Sequence, residues 1–177
     1  MTTDYFKFFD LSPAPLIDVA ELKKRYYAIS RETHPDFFTL ADDTAQEAAL
    51  EKSTYNNHAY RTLLDPDTRL KYFLDSKGAL AAEGENQVPQ EFLLEMMDLN
   101  EALMELKMEP DPAAQVQLEE QIDTFATQLE EEIEPVRNGY DDATATPADL
   151  AALADYYLKR RYLRRLRQNL RGEDAEV

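Results

Sequence analysis

The stretch SRETHPDFF, residues 30–38, contains His34, one of only two histidines among 177 residues. The residues before it follow a helical pattern, and a residue that precedes proline disfavours the α conformation. Pro35 therefore predicts the end of a helix near Thr33. A second long helical pattern begins after Asp36, so we expect His34-Pro35-Asp36 at the exposed tip of a two-helix hairpin.

The composition predicts a globular, cytoplasmic chain. Hydrophobic residues make up 44% of it, with ten tyrosines and eight phenylalanines to build a core. The lack of cysteine excludes disulfides and thiolate metal sites. No stretch approaches the roughly 18–20 apolar residues of a membrane span. The net charge of -17 disfavours nucleic acid and anionic lipid, so we expect neither nucleic acid nor membrane as a partner.

The charge is unevenly distributed along the chain. Residues 79–154 hold 19 acidic and 2 basic side chains, whereas residues 155–177 hold 7 basic and 4 acidic ones. Both segments lie in one predicted module. We therefore expect the acidic segment and the basic helix to face each other across an antiparallel bundle, which reduces the repulsion among the carboxylates.

The pattern of helix breakers predicts an all-α fold. The four glycines fall where helical patterns stop, and no strand-like alternation is present. We expect an N-terminal helical hairpin over residues 1–76, a linker over 77–88, an antiparallel three-helix bundle over 89–171 and a tail over 172–177. The predicted helices cover approximately residues 4–9, 18–33, 42–64 with a further turn or more, 89–108, 112–136 and 147–171.

The helix before the tripeptide has two distinct faces. Its apolar face is formed by Leu22, Tyr26, Ile29 and Thr33. The opposite face carries Lys23, Lys24, Tyr27 and Arg31, which places positive charge beside His34-Pro35-Asp36. In the next helix, the residues predicted to point inward are Ala45, Ala48, Ala49, Ala59, Tyr60 and Leu63.

The first bundle helix has more apolar residues than one buried face requires. The predicted buried stripe consists of Phe92, Met96, Leu99, Leu103 and Leu106. A second apolar set, Leu93, Leu94, Met97 and Met104, projects from the other flank near Asp98, Asn100 and Glu101. This second set either forms an exposed partner site or packs against the hairpin or another bundle helix, and its geometry leaves both alternatives open.

A catalytic or metal-binding role for His34 lacks the necessary companions. A catalytic site needs a nucleophile, a metal or oxyanion donors near the histidine, and a metal site needs further ligands at suitable spacing. Neither pattern is present, so we expect no enzymatic activity, no metal and no cofactor. A purely structural alternative is a turn in which Asp36 bonds its own backbone and His34 caps the preceding helix.

The tripeptide and its surroundings resemble a J-domain. The segments that carry the resemblance are DYFKFFDLS, LKKRYYAISRETHPDFF and YNNHAYRTLLDPDTRLKYFL, which together span about residues 4–76. J-domains dock on DnaK-type chaperones and stimulate their ATP hydrolysis. The resemblance implies that His34, Pro35 and Asp36 form the stimulating loop and that Lys23, Lys24 and Arg31 form the docking face.

The match to the J-domain pattern has departures. Tyr27 and Ala28 stand where general folding J-proteins often have basic residues, and Phe37 replaces the lysine that commonly follows the tripeptide. These changes favour a specialised chaperone partner. Asn56 stands at a position that is usually apolar, which destabilises the core unless its amide is hydrogen-bonded.

The whole chain resembles the HscB-type co-chaperones of iron–sulfur cluster assembly. QEFLLEMMDLNEAL is similar to that family's first bundle helix and KRRYLRRL to its last, which makes the bundle an HscB oligomerisation-type C-terminal domain. The resemblance implies two partners, a DnaK/HscA-type ATPase chaperone and an IscU-type cluster scaffold protein. The scaffold-binding residues that it implies are Leu93, Leu94, Met97, Asp98, Glu101, Arg161 and Tyr162.

Three other functions remain as alternatives. A general J-domain folding co-chaperone would suppress aggregation of unrelated clients, although the chain has no Gly/Phe-rich or Cys-rich segment. An enzyme would turn over a substrate without a chaperone. A structural adaptor would bind the scaffold without changing ATPase rate. The lack of an N-terminal Cys module or transit peptide leads us to expect a bacterial cytoplasmic protein.

Overall fold

The computed structural model describes residues 4–38, 42–82 and 84–172. This part of the chain is all-helical, which confirms the predicted fold class. The helices are α1 Tyr5–Phe8, α2 Val19–Glu32, α3 Asp43–Leu64, α4 Pro66–Ser76, α5 Gln90–Glu95, α6 Met97–Met108, α7 Pro112–Asn138 and α8 Pro147–Arg171. A single 3₁₀ turn, Pro35–Phe37, follows α2.

The chain divides into two compact units. One comprises Met1–Ser76 together with Tyr140–Thr144, and the other comprises Lys77–Gly139 together with Ala145–Val177. Residues 140–144 connect α7 to α8 but group with the first unit. Within that unit, the Tyr140 ring packs edge-on against Phe73 at a centroid distance of 5.0 Å.

In the first unit, α2 and α3 pair as the predicted hairpin. Asp18 caps α2, because its carboxylate accepts hydrogen bonds from the backbone N–H groups of Ala20 and Glu21. The largest fully buried side chains of this unit are Phe6, Phe9, Leu22, Leu63, Phe73 and Leu74. The prediction that Ala48 points inward was wrong: it is exposed, because α3 turns that side toward solvent one residue before the buried Ala49.

Asn56 is buried at the α2–α3 contact, and its amide is partly satisfied. The Nδ2 group donates to the Tyr26 carbonyl at 3.2 Å and to Ser30 Oγ at 2.9 Å. The Oδ1 atom is buried without a hydrogen-bond partner among the described residues. The amide therefore joins the two helices of the hairpin while one of its polar atoms remains unsatisfied.

The expected extension of α3 is a separate helix. Asp65 is extended between the two helices, and α4 begins at Pro66, which is well suited to the first position of a helix. Arg69 is buried at this junction and donates to the carbonyls of Pro15 and Leu63 at 3.1 and 2.7 Å. The guanidinium thereby satisfies a helix-end carbonyl of α3 and fastens the loop before α2 to it.

The second unit forms the helical bundle. Phe92, Met96, Leu99 and Leu103 are buried as predicted, and Leu106 is half-buried. The expected continuous helix over 89–108 is interrupted at Met96, which separates α5 from α6. Next to the interruption, the Asn100 Nδ2 donates to the Met96 carbonyl at 2.6 Å, and the Asn100 backbone N–H donates to the same carbonyl at 3.1 Å.

Ion pairs between α7 and α8 confirm that the acidic segment faces the basic helix. Arg167 pairs with Asp123, and Arg171 pairs with Glu119. Glu130 of α7 accepts a hydrogen bond from the Tyr156 hydroxyl of α8. Burial raises the pKa of Glu130, but this hydrogen bond and the bond from Arg137 outweigh it, so the net pKa is lowered and the carboxylate stays charged.

Candidate functional site

The tripeptide His34-Pro35-Asp36, which we name the HPD turn, lies where α2 ends. Thr33 closes the helix, because its backbone N–H and its Oγ1 both donate to the Ile29 carbonyl at 3.0 and 2.9 Å. The chain then enters the 3₁₀ turn, which the Phe37 N–H closes by donating to the His34 carbonyl at 3.0 Å. Pro35 begins this turn, as its fixed φ and missing N–H allow.

The side chains of His34 and Asp36 point toward solvent and lie close to each other. The Asp36 backbone N–H donates to His34 Nδ1 at 3.3 Å, and the Asp36 Oδ2 atom lies 3.5 Å from the same nitrogen. The exposed fractions are 55% for the His34 side chain and 83% for Asp36. The imidazole accepts a hydrogen bond that organises the turn, and the His34 backbone N–H donates to the Arg31 carbonyl of α2 at 3.4 Å. The structural alternative, a turn with a helix-capping His34, is therefore consistent with this geometry.

Phe37 gives the turn an aromatic edge. Its side chain is 74% exposed, and its ring lies edge-on to His34 at a centroid distance of 6.2 Å. A large exposed apolar side chain beside two polar groups is a favourable contact for a partner surface. The sequence identified Phe37 as a departure from the family pattern but did not indicate its exposure.

The basic face of α2, Lys23, Lys24 and Arg31, is exposed as expected. Tyr27 lies on the same face and is 51% exposed. Lys24 pairs with Glu21 at 3.4 Å, a contact that is weak at the surface. The face therefore presents positive charge directly beside the HPD turn.

Arg25, a fourth basic residue of α2, has a structural role that the sequence did not reveal. Its Nε donates to Glu21 at 2.7 Å, and its NH1 group donates to the carbonyls of Phe9 and Asp10 at 2.5 and 2.6 Å. The hydrogen bond from Arg25 also lowers the pKa of Glu21. These contacts fasten the segment after α1 to α2 and so support the helix that ends in the HPD turn.

A second candidate site lies on the bundle. Its apolar patch, Leu93, Leu94 and Met97, has exposed fractions of 39%, 60% and 52%. Asp98 and Glu101 are exposed beside it on α6. Within the bundle unit, these three side chains therefore lie outside the buried core.

The two α8 residues expected at the second site differ in environment. Tyr162 is half-buried: its ring lies edge-on to Phe92 at 5.8 Å, and its hydroxyl accepts a hydrogen bond from Asn100 Nδ2 at 2.7 Å. Tyr162 therefore supports the helices that carry the apolar patch. Arg161 is exposed and lines a cavity of about 220 Å³ together with Arg165.

The described residues give no sign of a metal or membrane site. They contain no group of three or more His, Asp or Glu side chains arranged to hold a metal ion. Within the same residues, no helix combines the length and the apolar character needed to cross a bilayer.

Comparison with known families identifies the bundle. Residues 88–171 match the model of the HSCB C-terminal oligomerisation domain. A co-chaperone protein HscB homolog of Shewanella halifaxensis is 29% identical over 175 residues, covering 97% of this chain and 98% of that protein. The human iron-sulfur cluster co-chaperone protein HscB is 37% identical over 109 residues, which are 61% of this chain and 46% of the human protein.

Solved structures agree with these sequence comparisons. The crystal structure of human HscB has a TM-score of 0.72 at 26% identity, covering 99% of this chain and 84% of the human one. The chaperone HscB from Vibrio cholerae has a TM-score of 0.66 at 26% identity, covering 97% and 98% of the two chains. Residues 88–171 of the chain match the HscB C-terminal domain, and nearly the whole chain is similar to HscB co-chaperones.

Proposed function

We propose that this chain is a J-domain co-chaperone of iron–sulfur cluster assembly. In this proposal the hairpin unit stimulates the ATPase of a DnaK/HscA-type chaperone through the HPD turn. The bundle delivers an IscU-type scaffold protein to the same chaperone, which promotes cluster transfer and the maturation of iron–sulfur proteins. The exposed HPD turn at the end of α2 carries the proposal, together with the similarity of the chain to HscB co-chaperones.

The hairpin geometry supports an ATPase-stimulating contact. A short 3₁₀ turn on a helix end holds the Asp36 carboxylate and the His34 ring in one arrangement before any partner is present. Preorganised groups lose less conformational freedom on binding. The basic face of α2 would attract an acidic surface of the chaperone and orient it toward the turn.

The apolar patch supports a scaffold contact. Leu94 and Met97 are more than half exposed although the bundle core is already filled by Phe92 and Met96. Exposed apolar side chains grouped at one place mark partner surfaces, and the flexible thioether of methionine adapts to a varied partner. Asp98 and Glu101 would add charge selectivity at the rim.

A substitution in the HPD turn tests the chaperone half of the proposal. His34→Gln should retain the fold, because the side chain is exposed, and should abolish stimulation of a purified HscA-type chaperone in a single-turnover ATPase assay. His58→Gln is the matched control, because it changes the chain's other histidine. His58 lies on α3, far along that helix from the turn, and its ring is hydrogen-bonded to the Tyr5 hydroxyl of α1. Equal stimulation by wild type and His34→Gln would contradict the proposal.

A triple substitution tests the scaffold half. Changing Leu93, Leu94 and Met97 to alanine should lower affinity for a purified IscU-type scaffold protein a hundredfold or more, since hot-spot side chains contribute about 2 kcal/mol or more each. The stability of the bundle should change little, because the four buried core residues of α5 and α6 remain. Unfolding with a loss of several kcal/mol would instead identify the patch as interior packing.

A further inference from the structure

Three methionines form a row along the solvent-facing side of α6. With 100° per residue, Met97, Met104 and Met108 fall within about 40° of one another. Leu99 and Leu103, the buried residues of the same helix, lie on the opposite side. The exposed fractions of Met97, Met104 and Met108 are 52%, 65% and 87%. We name these three residues the methionine row.

The methionine row differs from ordinary surface hydrophobicity. Single exposed apolar residues are common on proteins, but an aligned row that continues a candidate binding patch is not explained by chance exposure. The row begins at Met97, which already belongs to the apolar patch, and runs about three turns to Met108 at the end of α6. Met104 belongs to the second apolar set that the sequence indicated, whereas Met108 does not, although its spacing of eleven residues from Met97 indicates the same face.

Carboxylates accompany the row on one flank. Asp98, Glu101 and Glu105 are exposed and lie between about 40° and 100° from Met97 around the helix. The other flank carries Asn100 and Lys107 instead. The row is therefore an apolar strip with negative charge along one side.

The acidic flank leads into a depression at the corner between α6 and α7. The depression has a volume of about 730 Å³, and Met108 lies on its wall. Its other apolar contributors include Ala102, Leu106 and Ala114, and its carboxylates are Glu105, Glu109 and Asp111. An apolar floor with an acidic rim suits the side chain of arginine or lysine, whose aliphatic stem packs on apolar surface while the cation meets carboxylates.

We propose that the methionine row and the corner depression bind a basic amphipathic segment of the scaffold partner. This inference rests on the proposed function, because it extends the scaffold site from the apolar patch along α6. The segment would place apolar side chains on Met104 and Met108 and its Lys or Arg side chains against Glu105 and Glu109. The site thereby selects partners that carry positive charge beside an apolar stripe.

A second copy of this chain is the alternative occupant, because α8 is rich in arginine. Its Arg167 and Arg171 already pair with Asp123 and Glu119 of α7, and Arg160 lies 3.6 Å from Glu130. A second copy would have to break these contacts to offer those three cations. Arg161 and Arg165 are exposed on the same helix, so a dimerisation measurement distinguishes a second copy from the scaffold segment.

Lysine substitutions on the row provide the first arm of the test. Met104→Lys with Met108→Lys should lower affinity for a purified IscU-type scaffold protein at least tenfold by isothermal titration calorimetry. Val116→Lys is the matched control, because Val116 is 56% exposed on α7 and lies outside both the row and the depression. This control should bind like wild type, and circular dichroism should show equal helix content in all proteins.

Neutralised carboxylates provide the second arm. Glu105→Gln with Glu109→Gln should weaken scaffold binding and flatten its dependence on ionic strength, whereas Glu131→Gln with Glu132→Gln, on the exposed side of α7, should change neither. Scaffold binding that is unchanged in both the methionine-to-lysine variant and the variant with Glu105 and Glu109 changed to glutamine would overturn the inference.

The failures of the two proposals are distinguishable. If the alanine variant of the apolar patch loses the scaffold while the row variants keep it, the proposed function stands and the extension along α6 is wrong. If neither set affects binding, the scaffold site itself is wrong. Concentration-dependent dimerisation of wild type that the row variants abolish, without loss of scaffold binding, would make a second copy the occupant and also overturn the inference.

Discussion

Replacing Arg69 by methionine should destabilise the hairpin unit, because this buried guanidinium joins three segments of backbone. Its NH1 group donates to the Leu63 carbonyl at 2.7 Å and more weakly to the Leu64 carbonyl at 3.4 Å, while Nε donates to the Pro15 carbonyl at 3.1 Å. Methionine has a similar length but no donor. The substitution leaves these carbonyls buried without their present donor.

The expected magnitude follows from two opposing contributions. Each buried carbonyl that loses its partner costs about 1–3 kcal/mol, and two of the three bonds of Arg69 are short enough to count fully. Burial lowers the pKa of Arg69, which shows that the charged group is itself destabilised there, and methionine removes that cost. We expect the free energy of unfolding of this unit to fall by about 2–4 kcal/mol.

Hydrogen exchange with mass spectrometry and urea unfolding of the full chain would measure this effect. Protection should fall across α1 to α4 and remain unchanged in α7 and α8. Arg61→Met is the matched control, since Arg61 is exposed on α3. A loss below about 0.5 kcal/mol, the range of ordinary surface substitutions, would refute the role assigned to Arg69, as would an equal loss in the control.

Three further predictions concern the hairpin contact, the basic face and the bundle. Asn56→Leu should raise the free energy of unfolding by about 1 kcal/mol in urea titrations, because it removes a buried unsatisfied oxygen; a comparable loss would mean that the two amide hydrogen bonds dominate. Lys23→Glu with Arg31→Glu should weaken chaperone docking about tenfold or more at low salt, and wild-type docking should weaken as salt rises; salt-independent docking would contradict electrostatic steering. Burial first, and the hydrogen bond to Glu130 second, raise the pKa of Tyr156 to about 12. The unfolded tyrosine ionises near pH 10, so the raised pKa stabilises the folded state fully below about pH 10, and this stabilisation is lost as the pH rises toward 12. Urea midpoints should therefore fall less steeply between about pH 10 and 12 in Tyr156→Phe than in wild type. Parallel curves would show that Tyr156 does not contribute.

Much of the candidate site could be predicted from local sequence. Pro35 ends α2 through its own covalent geometry, so the HPD turn and its position beside the basic face follow from the residues themselves. The period of 3.6 residues placed Phe92, Met96, Leu99 and Leu103 in the core and left Leu93, Leu94 and Met97 outside it. The roles of these residues toward partners remain predictions.

Other features depend on contacts between residues that are distant in sequence. The helical period placed Ala48 on the buried face of α3, but it is exposed. Alanine is small enough to occur on either the buried or the exposed face of a helix, so its position is poorly determined by the pattern. The helical period also missed the break at Met96 that separates α5 from α6. The structural role of Arg25 could not be predicted from the surrounding sequence, since Lys23 and Lys24 carry the same charge on the same helix and remain exposed.

The sequence by itself determined the all-helical class, the HPD turn and the apolar excess of the first bundle helix, because each depends on backbone preferences or on a helical repeat within a few residues. Only the tertiary structure decided that Arg69 is buried, that the Asn56 amide keeps one unsatisfied oxygen, that Phe37 is exposed and that Met108 continues the row of Met97 and Met104 to an acidic depression. Burial and hydrogen bonding of a side chain depend on what the rest of the chain brings against it, and that information is absent from any local pattern.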